Sequence, residues 1–166
     1  MVERIYVEKQ PQFAQEAASL LSDIRFVLGI SGVTALRVLN RYDVEGVDHA
    51  LFLSCRNTVF SEPQTDLTYE EIPLGADAVF AAEYLPGQFD QRAEACAQCI
   101  ALISQKQAPS VRTARVFLLY GSISEPELLA IRQSIINPVE AREAALELPE
   151  TLSLPAEAPA RIPVLE

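Results

Sequence analysis

An internal repeat constrains this chain more than any other feature of its sequence. Phe13 and Phe89 each precede a segment with helical spacing of apolar residues, and aligning them shifts the numbering by 76. Both copies are apolar at i, i+3, i+7 and i+10, at Ala17, Leu20, Ile24, Val27 and at Ala93, Cys96, Ile100, Ile103. This spacing forms one face of an α-helix, so each copy predicts a helix packed on a sheet.

The repeat continues beyond these helices. Residues 36–39 align with 114–117, and Tyr42 aligns with Tyr120, at a shift of 78. Each segment predicts a strand that ends in a glycine-containing turn. The change of shift indicates small insertions in the loops.

A second helix follows the turn in each copy. Asp48 can cap the first, which buries Leu51 and Cys55. Ser124 can cap the second, with Glu127 completing a capping box, before an apolar face of Leu128, Ile131 and Ile135.

Strand candidates complete the pattern, over residues 4–9 and 78–85 and, as a shorter segment, 67–72. The predicted unit is β-α-β-α, which favours an α+β fold: an antiparallel sheet with helices on one face. Two units in tandem predict a fused dimer with a pseudo-two-fold axis. Residues 1–74 form the first predicted repeat and residues 75–147 the second.

The sequence changes character at residue 148. Prolines recur every few residues from there, at Pro149, Pro155, Pro159 and Pro163. Such spacing excludes a helix interior and favours an extended segment. We therefore interpret residues 148–166 as a linker towards further domains.

Charge and composition exclude several functions. The net charge is −10 with a pI of about 4.6, which disfavours binding to nucleic acid and to anionic membranes. No segment has the apolar length of a membrane span, and the N-terminus lacks the pattern of a signal peptide. Three cysteines do not form a disulfide framework, so the expected location is cytoplasmic.

Residues suited to catalysis are sparse. His49 is the single histidine and stands beside a predicted helix start, which favours capping or solvent exposure. Cys96 and Cys99 form C-x-x-C inside a helical pattern, without two nearby zinc ligands, which favours a core role and no metal. We expect no cofactor in this chain and no catalysis by it alone.

Five segments together resemble one enzyme family: RIYVEK (4–9), VLNRYDVEG (38–46), NTVFSEP (57–63), PGQFDQRA (86–93) and NPVEARE (137–143). They are similar to the N-terminal region of bacterial single-chain phosphoribosylformylglycinamidine synthases, over nearly all of residues 2–146. In many bacteria this enzyme is split into three proteins, one a small dimeric subunit. The single-chain enzymes look as if they carry two fused copies of that subunit. Gln12 departs from the family, where we expect glycine.

The resemblance implies a part of a ligase of purine biosynthesis. That enzyme replaces an amide oxygen of formylglycinamide ribotide with glutamine nitrogen and cleaves ATP, with Mg²⁺, in domains outside this chain. The implied partners are the synthetase and glutaminase domains of the same polypeptide. The implied role is to organise them and to wall the ammonia passage. Without those partners, an exposed apolar face is expected to favour self-association.

Candidate site residues follow from position and resemblance. Arg41, Tyr42 and Asp43 are predicted at a strand end, where they would contact a partner domain or substrate phosphate, or form only a surface turn. Helix ends supply Asn57, Thr58, Asn137 and Glu140, where asparagine is also a common helix terminator with positive φ. Further candidates are Phe60, as an exposed interface anchor, and Arg92 and Arg142.

Two other functions remain open from the sequence. Duplicated α+β units often bind small molecules between their copies, so a sensor of amino acids is one alternative. A free-standing scaffold protein is the other.

Overall fold

The structure is a computed structural model that describes residues 2–149 and 151–152. Its strands and helices are β1 (Val2–Lys9), α1 (Gln15–Ser22), β2 (Val33–Glu45), α2 (His49–Ser54), β3 (Asp66–Tyr69), β4 (Ala78–Tyr84), α3 (Gln91–Ser104), β5 (Ser110–Gly121), α4 (Glu125–Ile135) and β6 (Ala141–Ala144). A π-helical turn extends α1 over Asp23–Val27, and another follows α2 over Arg56–Phe60.

All six strands join one antiparallel sheet in the order β3-β1-β2-β5-β4-β6. The long central strands pair from Val33 opposite Gly121 to Glu45 opposite Ser110. The prediction of an α+β fold with an antiparallel sheet is therefore confirmed.

Two apolar clusters bury one face of the sheet beneath the helices. Cluster A joins α1 and α4 to the sheet around Phe80 and Phe117, whose rings stack 5.0 Å apart. Cluster B joins α2 and α3 to the sheet around Tyr42 and Val44. Both clusters use the same alternate positions of β2, so these helices cover one face, as the strand period of two requires.

The opposite face has its own buried residues, which we call cluster C. Leu39, Val116 and Leu118 are completely buried there. Ile72 and Leu146, which follow β3 and β6, pack against them. Loop segments thus shield this face where helices shield the other.

Local signals located the helix starts correctly. Asp48 accepts a hydrogen bond from the backbone N–H of Leu51 at 2.7 Å. Ser124 and Glu127 form the reciprocal capping box, with distances of 3.2 and 3.0 Å. These bonds satisfy N–H groups that a helix leaves unpaired in its first turn.

The predicted alignment of the central strands is wrong. At a shift of 78, Leu36 aligns with Ala114 and Tyr42 aligns with Tyr120. Leu36 and Tyr42 face the helices in clusters A and B, whereas Ala114 and Tyr120 belong to cluster C on the other face. Side chains alternate between faces along a strand, so equivalent positions require an odd shift here.

The chain packs against the sheet beyond the predicted start of the linker. The backbone N–H of Leu152 donates to Glu45 at 2.8 Å, and the Leu152 carbonyl accepts from Arg112 at 3.0 Å. Leu152 is buried. The remaining part of the predicted linker, from residue 153, lies outside the described residues.

Within the described ranges, no helix combines the length and the apolar character needed to cross a membrane.

Candidate functional site

A cleft of about 610 Å³ opens above the central strands, on the helical side of the sheet. Asn40 of β2 and Thr113 and Arg115 of β5 line its base. Its walls include residues from α1, from the start of α3, and from the end of α4 and the segment after it: Glu16, Gln91, Arg92, Ala95, Ile135, Asn137 and Glu140. The cleft therefore brings together three predicted candidates, Arg92, Asn137 and Glu140.

The start of α3 is anchored to the sheet beside Arg92. One oxygen of Asp90 accepts from the N–H of Ala93 at 3.0 Å. The other accepts from the backbone N–H and the hydroxyl of Thr113, at 3.1 and 2.7 Å. Arg92 lies 3.5 Å from the hydroxyl of Tyr42. Burial raises the pKa of Tyr42, although Arg92 opposes this shift.

The segment after α4 is held by its own turn and by Leu85, the residue that follows β4. The side-chain oxygen of Asn137 accepts from the N–H of Val139 at 3.0 Å. The N–H of Glu140 donates to the Asn137 carbonyl at 3.1 Å, and the Glu140 carbonyl accepts from Leu85 at 3.0 Å. Positive φ was the wrong reason for asparagine here and at Asn57, because among the described residues Gln105 is the one non-glycine with that backbone conformation.

Sequence reasoning missed most residues of the cleft, among them Arg115, Glu16 and Asn40. Arg115 forms an ion pair with Glu16 and lies over the ring of Phe117 at 5.3 Å. Burial lowers the pKa of Arg115. Asn40 is half-buried on β2. The sequence signal that could have revealed Asn40 is its polar side chain at a helix-facing position of β2, where the neighbouring helix-facing residues, Val38 and Tyr42, are apolar or aromatic.

Arg41 and Asp43 lie elsewhere, on the face of cluster C. They stand within β2, which continues to Glu45, so the surface-turn interpretation is wrong. Arg4 donates to both carboxylate oxygens of Asp43, while Arg41 Nε is 3.8 Å from Asp43 and its Nη1 donates to the Ala145 carbonyl at 2.7 Å. Burial lowers the pKa of Arg41. Tyr42 faces the helices, so this triplet does not form one site.

Phe60 is not the exposed anchor that the sequence predicted. Its side chain is buried in cluster B, 5.2 Å from the rings of both Tyr42 and Phe52. Asn57 and Thr58 are exposed on the π-helical turn beside it. Aromatic packing thus explains Phe60 as a core residue of the fold.

Arg142 lies on the edge strand β6. It donates to Glu83 of β4 at 2.8 Å. Both residues line a second cavity of about 220 Å³ near the end of β4, which also includes Asp90 and Arg112. Arg142 is therefore paired, and β4 separates it from the base of the larger cleft.

The described part of the chain shows no metal centre. No group of three or more histidine, cysteine, aspartate or glutamate residues within it is arranged to hold a metal ion. His49, the first residue of α2, is exposed, and its Nδ1 lies 3.1 Å from a carboxylate oxygen of Glu3.

Fold and cleft together define an α+β domain with a polar cleft above an antiparallel sheet. In comparisons with known proteins, no family model matches the chain. No curated protein matches it significantly.

Proposed function

We propose that this chain is the N-terminal, non-catalytic domain of a long-chain phosphoribosylformylglycinamidine synthase. In that enzyme it organises the synthetase and glutaminase domains and walls the passage of ammonia between them. The observation that carries the proposal is a constant shift of residue numbers that relates the two halves of the sheet, as expected for two fused copies of a small dimeric subunit.

The shift of 75 relates the strand pairs of the first half to those of the second. Adding 75 to the residue numbers of Tyr6 and Arg41, which pair between β1 and β2, gives Ala81 and Val116, which pair between β4 and β5. The same shift also turns the pair of Tyr6 and Tyr69 into Ala81 and Ala144, which is a pair of β4 and β6. One shift therefore accounts for the inner and outer pairing of both halves.

The central pairing fits the same relation. The pair Arg41–Ala114 becomes Val116–Leu39, which belongs to the same ladder. The relation exchanges Asn40 with Arg115, which pair with each other. A pseudo-two-fold axis would pass between these two residues, through the base of the cleft.

The helical side repeats with nearly the same shift. Tyr42 and Val44 of cluster B correspond to Phe117 and Leu119 of cluster A at a shift of 75. On the helices the shift is 76, which relates Cys55 to Ile131 as buried residues. Two matching cores of this kind support a duplicated domain with residues 1–74 and 75–147 as its copies.

An assembly role suits the chemistry of the chain. A glutaminase half requires a cysteine nucleophile with a histidine base, and the single histidine here is paired with Glu3 on an exposed helix. Ammonia is largely protonated at neutral pH, so it must travel between active sites without meeting bulk water. A rigid domain between the two halves would fix their spacing and exclude water.

Two experiments test the proposal. The native reading frame beyond the codon of Glu166 should encode synthetase and glutaminase domains; a stop codon there would overturn it. In the full enzyme, deletion of residues 1–147 should release ammonia to solvent during glutamine-dependent turnover. Tight coupling of glutamine hydrolysis to product formation in that variant would contradict the assembly role.

A second candidate function is a small-molecule sensor. The cleft between the two helix pairs is the observation that favours it. Thermal-shift measurements with amino acids and nucleotides test it, because a ligand that binds the folded state raises the melting temperature.

A further inference from the structure

We propose that the cleft above β2 and β5 binds a small zwitterion of the α-amino acid class. Asn40, Arg92 and Glu140 would contact it. This inference rests on the second candidate function, the small-molecule sensor, and not on the assembly role.

The first reason is the position of Asn40 and its lack of a hydrogen-bond partner among the described residues. Asn40 occupies the middle of a central strand, faces the helices and is half-buried. Its neighbours on that face, Val38 and Tyr42, pack into clusters A and B. The described residues provide no hydrogen-bond partner for its side-chain amide. An apolar residue at this place would bury more apolar surface against the two clusters, so packing does not explain the amide. An amide at this place is suited to donate to and accept from a ligand.

The balance of charges in the cleft is the second reason. Arg115 is neutralised by Glu16, and Arg142 neutralises Glu83. Arg92 and Glu140 form no ion pair with any residue that the structure describes.

Arg92 and Glu140 are both exposed at the cleft, and the charge of Glu140 also interacts with Arg115. A ligand with one anionic and one cationic group complements them, the first at Arg92 and the second at Glu140. A guanidinium binds a carboxylate through paired N–H donors, and a carboxylate accepts from an ammonium group.

Rigidity and size are the third reason. Asp90 fixes the first turn of α3, which carries Arg92, to Thr113 of β5. The N–H of Leu85 holds the carbonyl of Glu140. The two charged residues thus stand on supported backbone. The cleft volume of about 610 Å³ lies within the range of small-molecule sites, about 300–1,000 Å³.

Binding is measured on the isolated chain. Isothermal titration calorimetry with each standard amino acid, at millimolar concentrations, should identify at least one that binds. Acetate and ethylamine, which carry one charge each, should bind at least about tenfold more weakly than that amino acid.

Three variants assign the site. Arg92→Gln and Glu140→Gln should each weaken binding at least about tenfold. Asn40→Leu should weaken it similarly but raise the melting temperature, because leucine buries more apolar surface between clusters A and B. This opposite change in stability distinguishes a ligand contact from a structural residue. Arg132→Gln and Asn57→Leu, outside the cleft, are the matched controls and should leave binding unchanged.

The proposal is overturned if no amino acid binds, if acetate or ethylamine binds as tightly, or if the three variants bind like the controls. Each measurement is made on the isolated chain and reports no coupling between active sites. Failure here would therefore leave the assembly role standing, and failure of the assembly role would leave this site standing.

Discussion

Arg4 donates to both carboxylate oxygens of Asp43, through Nε at 2.6 Å and Nη2 at 2.8 Å. Asp43 is only 2% exposed. Arg4 also donates to the carbonyls of Leu146 and Glu147, at 2.8 and 3.1 Å. One guanidinium thus joins β1, β2 and the segment after β6, and this junction shields the face of cluster C.

Replacing Asp43 with asparagine should destabilise the fold strongly. The carboxylate balances Arg4 and the adjacent Arg41, and its loss would leave two buried guanidinium groups without a counter-charge. We expect a loss of about 3–5 kcal/mol in the free energy of unfolding, measured by urea denaturation. Glu143→Gln is the control, because its 3.7 Å pair with Arg132 is exposed and contributes less than about 1 kcal/mol. Equal effects of the two substitutions would contradict this account.

Glu45 should make stability depend on acid pH. Hydrogen bonds from the N–H of Leu152 and the hydroxyl of Thr151 lower the pKa of this carboxyl. A lowered pKa in the folded state gives stability that is present above the unfolded pKa, about 4.3 for glutamate, and is lost as the pH falls below it. The difference in melting temperature between wild type and Glu45→Gln should therefore be largest near neutral pH and vanish in acid. Glu70→Gln, at an exposed position, should show no such trend.

Gly121 should tolerate no side chain. It has φ +123°, and a methyl group there would overlap the carbonyl oxygen of Gly32. Gly75 provides a matched comparison, with φ +105° and open space around it. Gly75→Ala should cost about 1–3 kcal/mol from backbone strain alone. Gly121→Ala should cost more in the same denaturation assay, and equal costs would show that the contact with Gly32 is unimportant.

Phe60 should behave as a core residue. We expect Phe60→Ala to cost about 3–5 kcal/mol, because it removes the ring between Tyr42 and Phe52. Phe89→Ala should have little effect on stability, since Phe89 is 69% exposed and Phe60 only 3%. A small loss for Phe60→Ala would instead favour the interface role that its sequence context suggested.

The three thiols should differ in reactivity. Burial raises the pKa of Cys96 to about 12 and also raises the pKa of Cys55, whereas Cys99 is exposed. Alkylation proceeds through the thiolate, so iodoacetamide at pH about 8 should modify Cys99 first in the native protein. Mass spectrometry of the digested product measures this order. Comparable labelling of all three before unfolding would contradict the packing of cluster B.

The sequence predicted some residues of the cleft and missed others. Arg92, Asn137 and Glu140 were candidates, and the structure brings them to one cleft. Asn40 was missed because a single polar residue in a strand does not reveal whether its partner is protein or ligand. Arg41 and Asp43 were predicted at the end of a strand because the strand was ended too early. β2 in fact continues to Glu45, and its pairing with β5 decides this length.

The sequence by itself determined the order and kind of the elements as far as α4, the helix caps at Asp48 and Ser124, and the first three positions of the apolar stripe in each first helix. It did not predict β6, and the fourth stripe positions, Val27 and Ile103, are exposed. The correctly predicted features depend on contacts between residues only a few positions apart, so local spacing records them. Only the tertiary structure decided which face each strand residue occupies, how the strands are registered and that α1 packs with α4. These depend on contacts between distant parts of the chain, and a shift of one residue along a strand reverses every side chain without changing its composition.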